Sequence, residues 1–303
     1  MHALPARIPP FVAPFAILVA FACGCSLLLS TSLDQCGADS DCAARGAGFE
    51  GMSCVNHVCV ASAGDGGQDS SNSPWACLGN VSRPPANKST VSVTVPFVDL
   101  VQNTPVADLT ITTCNKLDAD CTNPIGEGAK PNDQGIVTLS LTAGFDGYLF
   151  AVSTVTDEAG GPGSMPAIVF FNPPLIDDTV YPTIFLVSPS SLQGLAVAVG
   201  VTLDPQLGAA VYGAMDCSAS FAAGVSSTVN RTTDSTKAFF FENNVPTDVA
   251  TATDSSGFGG FVNVPTGYVT LDAVVQATGS RIGSAGLLIR PSCMSYTFLV
   301  PSP

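Results

Sequence analysis

Eleven cysteines and two histidines carry most of the chemistry this chain could do, and their spacing decides its kind. His2 lies at the start of an apolar leader, so His57 is the one histidine in the rest of the chain. A serine triad needs a histidine free to reach its nucleophile. His57 instead sits in Cys54-Val-Asn-His-Val-Cys59, a short loop between two cysteines. Cys36, Cys42, Cys54 and Cys59 lack the tight pairs of a zinc knuckle. They read as two bridges in a segment too short for its own core, and the sequence leaves all three pairings open. Asp34, Asp39 and Asp41 lack the glycine and closing glutamate of an EF-hand loop and read as a solvated acidic turn. Asp177 and Asp178 are sequence neighbours in a loop, unlike the separated carboxylates of a glycosidase. The expectation is a chain with no catalytic residue, no cofactor and no metal.

The other cysteines read as architecture. Cys114-Asn-Lys-Leu-Asp-Ala-Asp-Cys121 is a polar excursion that a bridge would close. Cys217 and Cys293 are candidates to join the first and last strands of the second half, with Cys77 a competing partner for either. Once Cys23 and Cys25 in the leader are set aside, an odd number remains. Cys77, beside a linker, is read as the unpaired one. So many cysteines suit an exported protein in an oxidising compartment. The net charge of −14 excludes a nucleic-acid partner, because phosphate needs basic surface. With only 11% charged residues and abundant Gly, Pro, Ser, Thr and Val, the fold class is all-β.

The leader joins Arg7 to an apolar run from Phe11 to Ala22, then Ala22-Cys23-Gly24-Cys25-Ser26. This resembles the lipobox of bacterial lipoproteins, with Cys25 as the lipid-bearing residue and Cys23 as the rival. The resemblance implies acylation, a membrane partner reached through the lipid, and an outer-membrane address from Ser26. Signal 1–24 then precedes a lipidated cysteine-rich head, 25–60, similar to heads that follow the lipobox in surface lipoproteins of social gliding bacteria. An uncleaved anchor and an ordinary cleaved signal are the competing readings.

Residues 61–76 read as a flexible Gly/Ser/Asp linker. The remainder reads as two β-sandwich domains in tandem, 77–188 and 203–303, joined by a short helix at 189–202. A period-two strand is expected at 90–98, with further strands at 106–114, 136–141, 147–153, 167–171 and 183–187. Ser188 and Pro189 suit the start of the helix and Gly200 its stop.

Asp133 to Val152 and Thr253 to Val274 share one order: a glycine turn, a strand, Gly-Tyr, a strand. Thr104 to Ile111 and Phe221 to Thr228 match upstream, so one fold is read as used twice. Ala222-Ala-Gly-Val225, Thr253-Asp-Ser-Ser-Gly257 and Val264-Pro-Thr-Gly-Tyr268 resemble the carboxypeptidase regulatory-like domain. That resemblance implies a transthyretin-like or Ig-like sandwich and places Tyr268 at its edge. The function expected is a non-catalytic surface lipoprotein with a structural, adhesion or docking role in the cell envelope. The alternative is a carbohydrate-binding module, which would need exposed rings among Trp75, Tyr148, Tyr181, Tyr212 and Tyr268. The partner is then an envelope protein or a polysaccharide.

Overall fold

A computed structural model describes residues 36–44, 52–55, 58–61, 73–156, 160–242 and 245–303. The leader with Cys23 and Cys25, Asp34, His57 and residues 62–72 of the linker lie outside the described residues. No helix among the described residues is long and apolar enough to cross a membrane. The chain divides into two units, 1–68 and 69–303.

In the first unit, helix α1 (Asp39–Ala43) precedes a hairpin of β1 (Met52–Val55) and β2 (Val58–Ala61). Cys36 bridges to Cys54, and Cys42 is also disulfide-bonded and buried. Asp41 serves a turn: its carboxylate accepts from the N–H groups of Gly37 and Ala38, at 2.8 and 2.9 Å.

The second unit is all-β apart from one helix. Its strands are β3 (Thr90–Asp99), β4 (Leu109–Cys114), β5 (Ile136–Thr142), β6 (Tyr148–Ser153), β7 (Ala167–Phe170), β8 (Thr179–Val180) and β9 (Ile184–Leu186). Helix α2 (Pro189–Ala198) follows. Then come β10 (Gly208–Ala214), β11 (Val225–Val229), β12 (Lys237–Glu242), β13 (Val245–Thr247), β14 (Phe258–Val264), β15 (Gly267–Val275), β16 (Arg281–Ile289) and β17 (Met294–Leu299).

The repeat seen in the sequence is a repeat of topology. In the first half β3 pairs antiparallel with β5 and parallel with β9, while β6 pairs with β4 and β7. In the second half β10 pairs antiparallel with β14 and parallel with β17, while β15 pairs with β11 and β16. Six strands therefore correspond one to one, with β8 extra in the first half and β12 and β13 extra in the second. Each half is a two-sheet sandwich in its connections.

The halves do not end where the helix begins. Strand β17 also pairs parallel with β7, matching Met294 to Ala167 and Tyr296 to Val169. One sheet of each half thereby merges into a single eight-stranded sheet, in the order β13-β12-β14-β10-β17-β7-β6-β4. The division drawn at 189–202 separates two topological repeats, while their middle layer is continuous.

This middle layer is buried on both faces. On one face Leu149, Val169, Val211, Tyr296 and Phe298 join a core with Val93, Val95 and Phe97 of β3. On the other, Tyr148, Ile168, Phe170, Tyr212 and Leu299 join a core with Leu271 of β15 and Leu287 of β16. Strands buried on both sides carry no polar alternation. That is why β7, β10 and β17 are buried at every position. Small residues in β10, Gly208-Ala-Ala-Val-Tyr-Gly-Ala214, leave room for both layers to approach.

Helix α2 has the ends that its sequence marks. The Ser188 hydroxyl accepts from the Ser191 N–H at 3.1 Å, Pro189 occupies the first turn, and Gly200 takes a φ of 68° just past the end. Asn263, buried in β14 with a φ of 54°, ties two loops to that strand, the one before β10 and the one before β12. Its side-chain oxygen accepts from Asp204 N–H, and its amide donates to the carbonyls of Thr202 and Ser235.

Candidate functional site

Two features of the second unit bring functional side chains together: a seam where the halves meet, and a cavity beneath α2. The seam is built on the loop between Cys114 and Cys121, which are bridged. A small disulfide ring strips a polar loop of conformational freedom and holds its carbonyls in fixed directions. Three of those carbonyls are taken up. Tyr148 donates its hydroxyl to the Asp118 carbonyl at 2.5 Å, and Tyr268 donates to the Lys116 carbonyl at 2.8 Å. Arg290, just after β16, donates through Nε to the Ala119 carbonyl at 2.9 Å and through Nη2 to the same oxygen. Its guanidinium also lies over the Phe150 ring, 4.6 Å from the centroid. The two tyrosines of the repeated Gly-Tyr motif thus converge on one loop. Tyr148 is fully buried, whereas Tyr268 is 41% exposed.

Arg290 brings a charged group to this seam, reaching the Ala119 carbonyl, the Tyr148 hydroxyl and the Phe150 ring. Arg290→Met keeps the apolar stem but removes the charge-assisted bonds, and is expected to lower the unfolding free energy by about 2 kcal/mol. Urea titration of both proteins measures it. An unchanged midpoint would show that the loop is held by Tyr148 and Tyr268 alone.

The remaining cysteines depart from the sequence expectation. Cys77, read as unpaired, is bridged to Cys217, the competing pairing, and Cys293 is the free thiol among the described residues. The reason lies in packing on either side of Cys77: Trp75 and Leu78 lie against the core, and the Pro74 carbonyl accepts from the Cys217 N–H at 2.9 Å. The segment read as a linker end is therefore docked beside the loop after β10. Cys293 is 3% exposed, its thiol points at the Pro166 carbonyl at 3.1 Å, and burial pushes its pKa up to about 12. It should resist alkylation by iodoacetamide at neutral pH and react once urea unfolds the chain. Peptide mapping reads this directly, and rapid labelling of the native protein at Cys293 would contradict the packing.

The carboxylates serve turns and surface pairs. Asp177 and Asp178 flank the Lys88 ammonium at 2.9 and 2.8 Å, and Asp178 also accepts from the Ser92 N–H. Hydrogen bonds from Lys88 hold both carboxyls below the usual carboxylate range. Asp118 is lowered by the N–H groups of Asn123 and Thr122. The aromatic candidates are spent in the same way. Tyr181 is buried with its hydroxyl on the Phe170 carbonyl, Tyr212 is buried in β10, and Trp75 is half-buried.

The cavity has a volume of about 650 Å³. Helix α2 forms one wall through Leu192, Leu195, Ala196 and Val199, a single helical stripe. The sheet forms the opposite wall, with Val211 of β10, Phe239 and Phe241 of β12, Val262 of β14, and Tyr296 of β17. Phe185 of β9 and the turn after β3, with Val101 and Asn103, close the side. Nothing in the residue pattern marks this space. Leu192 and Val199 of the stripe also belong to one core with Val211 and Phe239 of the sheet, and only the fold shows that they border an open space as well.

No family model and no curated protein matches this chain. Solved structures with partial similarity include the TIE protein of Bacillus anthracis, 12% identical over 71% of this chain and 34% of that one, TM-score 0.23. The shaft pilin spaA from Lactobacillus rhamnosus GG is 12% identical over 71% of this chain and 98% of that one, TM-score 0.24. CBMbc (family CBM26) from Eubacterium rectale Amy13K, solved in complex with maltoheptaose, is 10% identical over 69% of this chain and 92% of that one, TM-score 0.25. The chain spans about a third of the length of the first of these, 34%. At these TM-scores the similarities carry no argument about what this chain does.

Proposed function

We propose that this chain is an exported, non-catalytic surface protein, tethered to a membrane by lipid on Cys25, whose second unit is a rigid structural or docking body. The observation that supports this most is that the groups able to do chemistry are spent on architecture. Tyrosine hydroxyls cap a loop, carboxylates cap turns, and cysteines close the seam and the docked N-terminal segment. The merged sheet makes one stiff unit from two repeats, as a spacer or docking platform requires. Disulfides at Cys36–Cys54, Cys77–Cys217 and Cys114–Cys121 suit an oxidising compartment. The resemblance of the leader to a lipobox and of the repeats to the carboxypeptidase regulatory-like domain supports the tether and the sandwich identity.

Cys25→Ser is expected to move the protein out of the lipid-bearing membrane fraction, because loss of the acyl chains removes most of the binding. Unchanged fractionation would move the tether to Cys23 or remove it from the proposal. The docking role predicts no retention of the full chain on peptidoglycan or insoluble polysaccharides. Retention that free sugar competes away would replace it with glycan binding.

A further inference from the structure

We propose that the cavity beneath α2 is a binding site for a small, uncharged, hydrocarbon-rich molecule. Its volume of about 650 Å³ falls within the roughly 300–1,000 Å³ of small-molecule sites. The lining sets the chemistry. Phe185, Phe239, Phe241, Phe258 and Tyr296 supply rings, and Met294 a deformable thioether. Among the described residues no Asp, Glu, Lys or Arg lines it, so a charged ligand would lose its hydration with no counter-charge there to replace it.

Polar recognition is confined to Asn103, in the exposed turn after β3, and Ser256, ahead of β14. The Tyr296 hydroxyl is already committed to the Phe185 carbonyl, and Ser256 donates to Asp254 at 2.6 Å. Asn103 is therefore the polar side chain best placed to meet a neutral hydrogen-bonding group on the ligand. The helix supports the same reading. Leu192, Leu195, Ala196 and Val199 face the space, whereas Val197 is 66% exposed on the outer side. In a closely packed interior such a stripe interdigitates with the sheet below it. Here it borders a space that a ligand of matching polarity would fill.

The test uses the full chain with its disulfides formed, in detergent-free buffer. N-phenyl-1-naphthylamine is an uncharged fluorophore, and 8-anilino-1-naphthalenesulfonate adds a charge to nearly the same ring skeleton. The uncharged probe is expected to saturate at one per chain and to bind at least about tenfold more tightly than the sulfonate. Ala196→Phe, which fills the cavity, is expected to weaken it by about tenfold or more. Val197→Phe, on the outer side of the helix, is expected to leave binding unchanged. Should Ala196→Phe fail to fold, light-activated benzophenone on the unaltered protein decides, with crosslinks expected within residues 192–199 or 239–241. Non-saturating binding, equal affinity for the sulfonate, or crosslinks confined elsewhere would overturn the proposal. None of these results depends on the lipid tether, so its failure and this one are separable.

Discussion

Replacing Cys77 and Cys217 together by serine is expected to lower the unfolding free energy by about 5 kcal/mol. The bond closes a loop with a sequence separation of 140, and the entropy removed from the unfolded chain grows with the logarithm of that length. Whole domains are commonly stable by only about 5–15 kcal/mol, so the variant should lie near its unfolding midpoint. The folded state also loses a local arrangement. The Cys77 N–H donates to the Cys217 sulfur at 3.0 Å, and Pro74 binds the Cys217 N–H, so the docked segment around Trp75 should loosen first. Urea unfolding of the double variant against the parent measures the total, and the fluorescence of Trp75, the one tryptophan, reports the segment. A loss below about 1 kcal/mol would show that the segment holds its place without the bond.

Gly135→Ala and Gly257→Ala form the second prediction, and they test the repeat itself. The two glycines occupy matching turns. Each has a φ near 70°, 68° at Gly135 and 72° at Gly257, which an L side chain adopts only with strain. Each carbonyl accepts from the end of the strand it serves: Gly135 from Phe97 N–H and Gly257 from Ala214 N–H, both at 2.8 Å. A Cβ at Gly135 would stand 2.4 Å from the Phe97 carbonyl oxygen, and one at Gly257 would stand 2.8 Å from that of Ala214. Neither neighbour is a flexible side chain, so relief requires backbone movement. Strain and overlap together are expected to cost about 3–4 kcal/mol at Gly135 and about 2–3 kcal/mol at Gly257. Gly144→Ala separates the two causes. Its φ is 84° with nothing within 4 Å of the added carbon, so only strain remains, about 1 kcal/mol. Three thermal melts decide it. Equal losses at all three positions would show that the close approach costs nothing.

Those turns were legible because their chemistry is local. Asn132 accepts from the Gln134 N–H, and Asp254 from the Ser256 N–H, so each turn is written in a few adjacent residues. Strand β3 was legible for a similar reason: its burial alternates between core and surface along Thr90–Asp99. The helix showed in Ser188, Pro189 and Gly200. Strands β10 and β17 lack any such mark, since burial on both faces erases the alternation that identifies a strand. Their merging of the halves depends on β17 meeting β7, residues far apart in sequence with no local signal. The cavity was hidden for a related reason. Val211, Phe239 and Tyr296 read as ordinary core, and only the fold shows that they also line a cavity with α2. Cysteine pairing failed at Cys293 because Cys217 is taken by Cys77, a meeting of residues 140 apart in sequence that no local pattern marks.

The position of β17 also governs the order in which this protein can be finished. It lies between β10 and β7 and runs parallel to both. Until residues 294–299 have been made, each of those strands presents an open edge, ready to pair with another copy or to enter a protease. Parallel pairing between segments so far apart forms slowly, so the exposure outlasts local folding. A chain cut short between β16 and β17 therefore holds two unsealed edges at the centre of its sheet, one on β10 and one on β7.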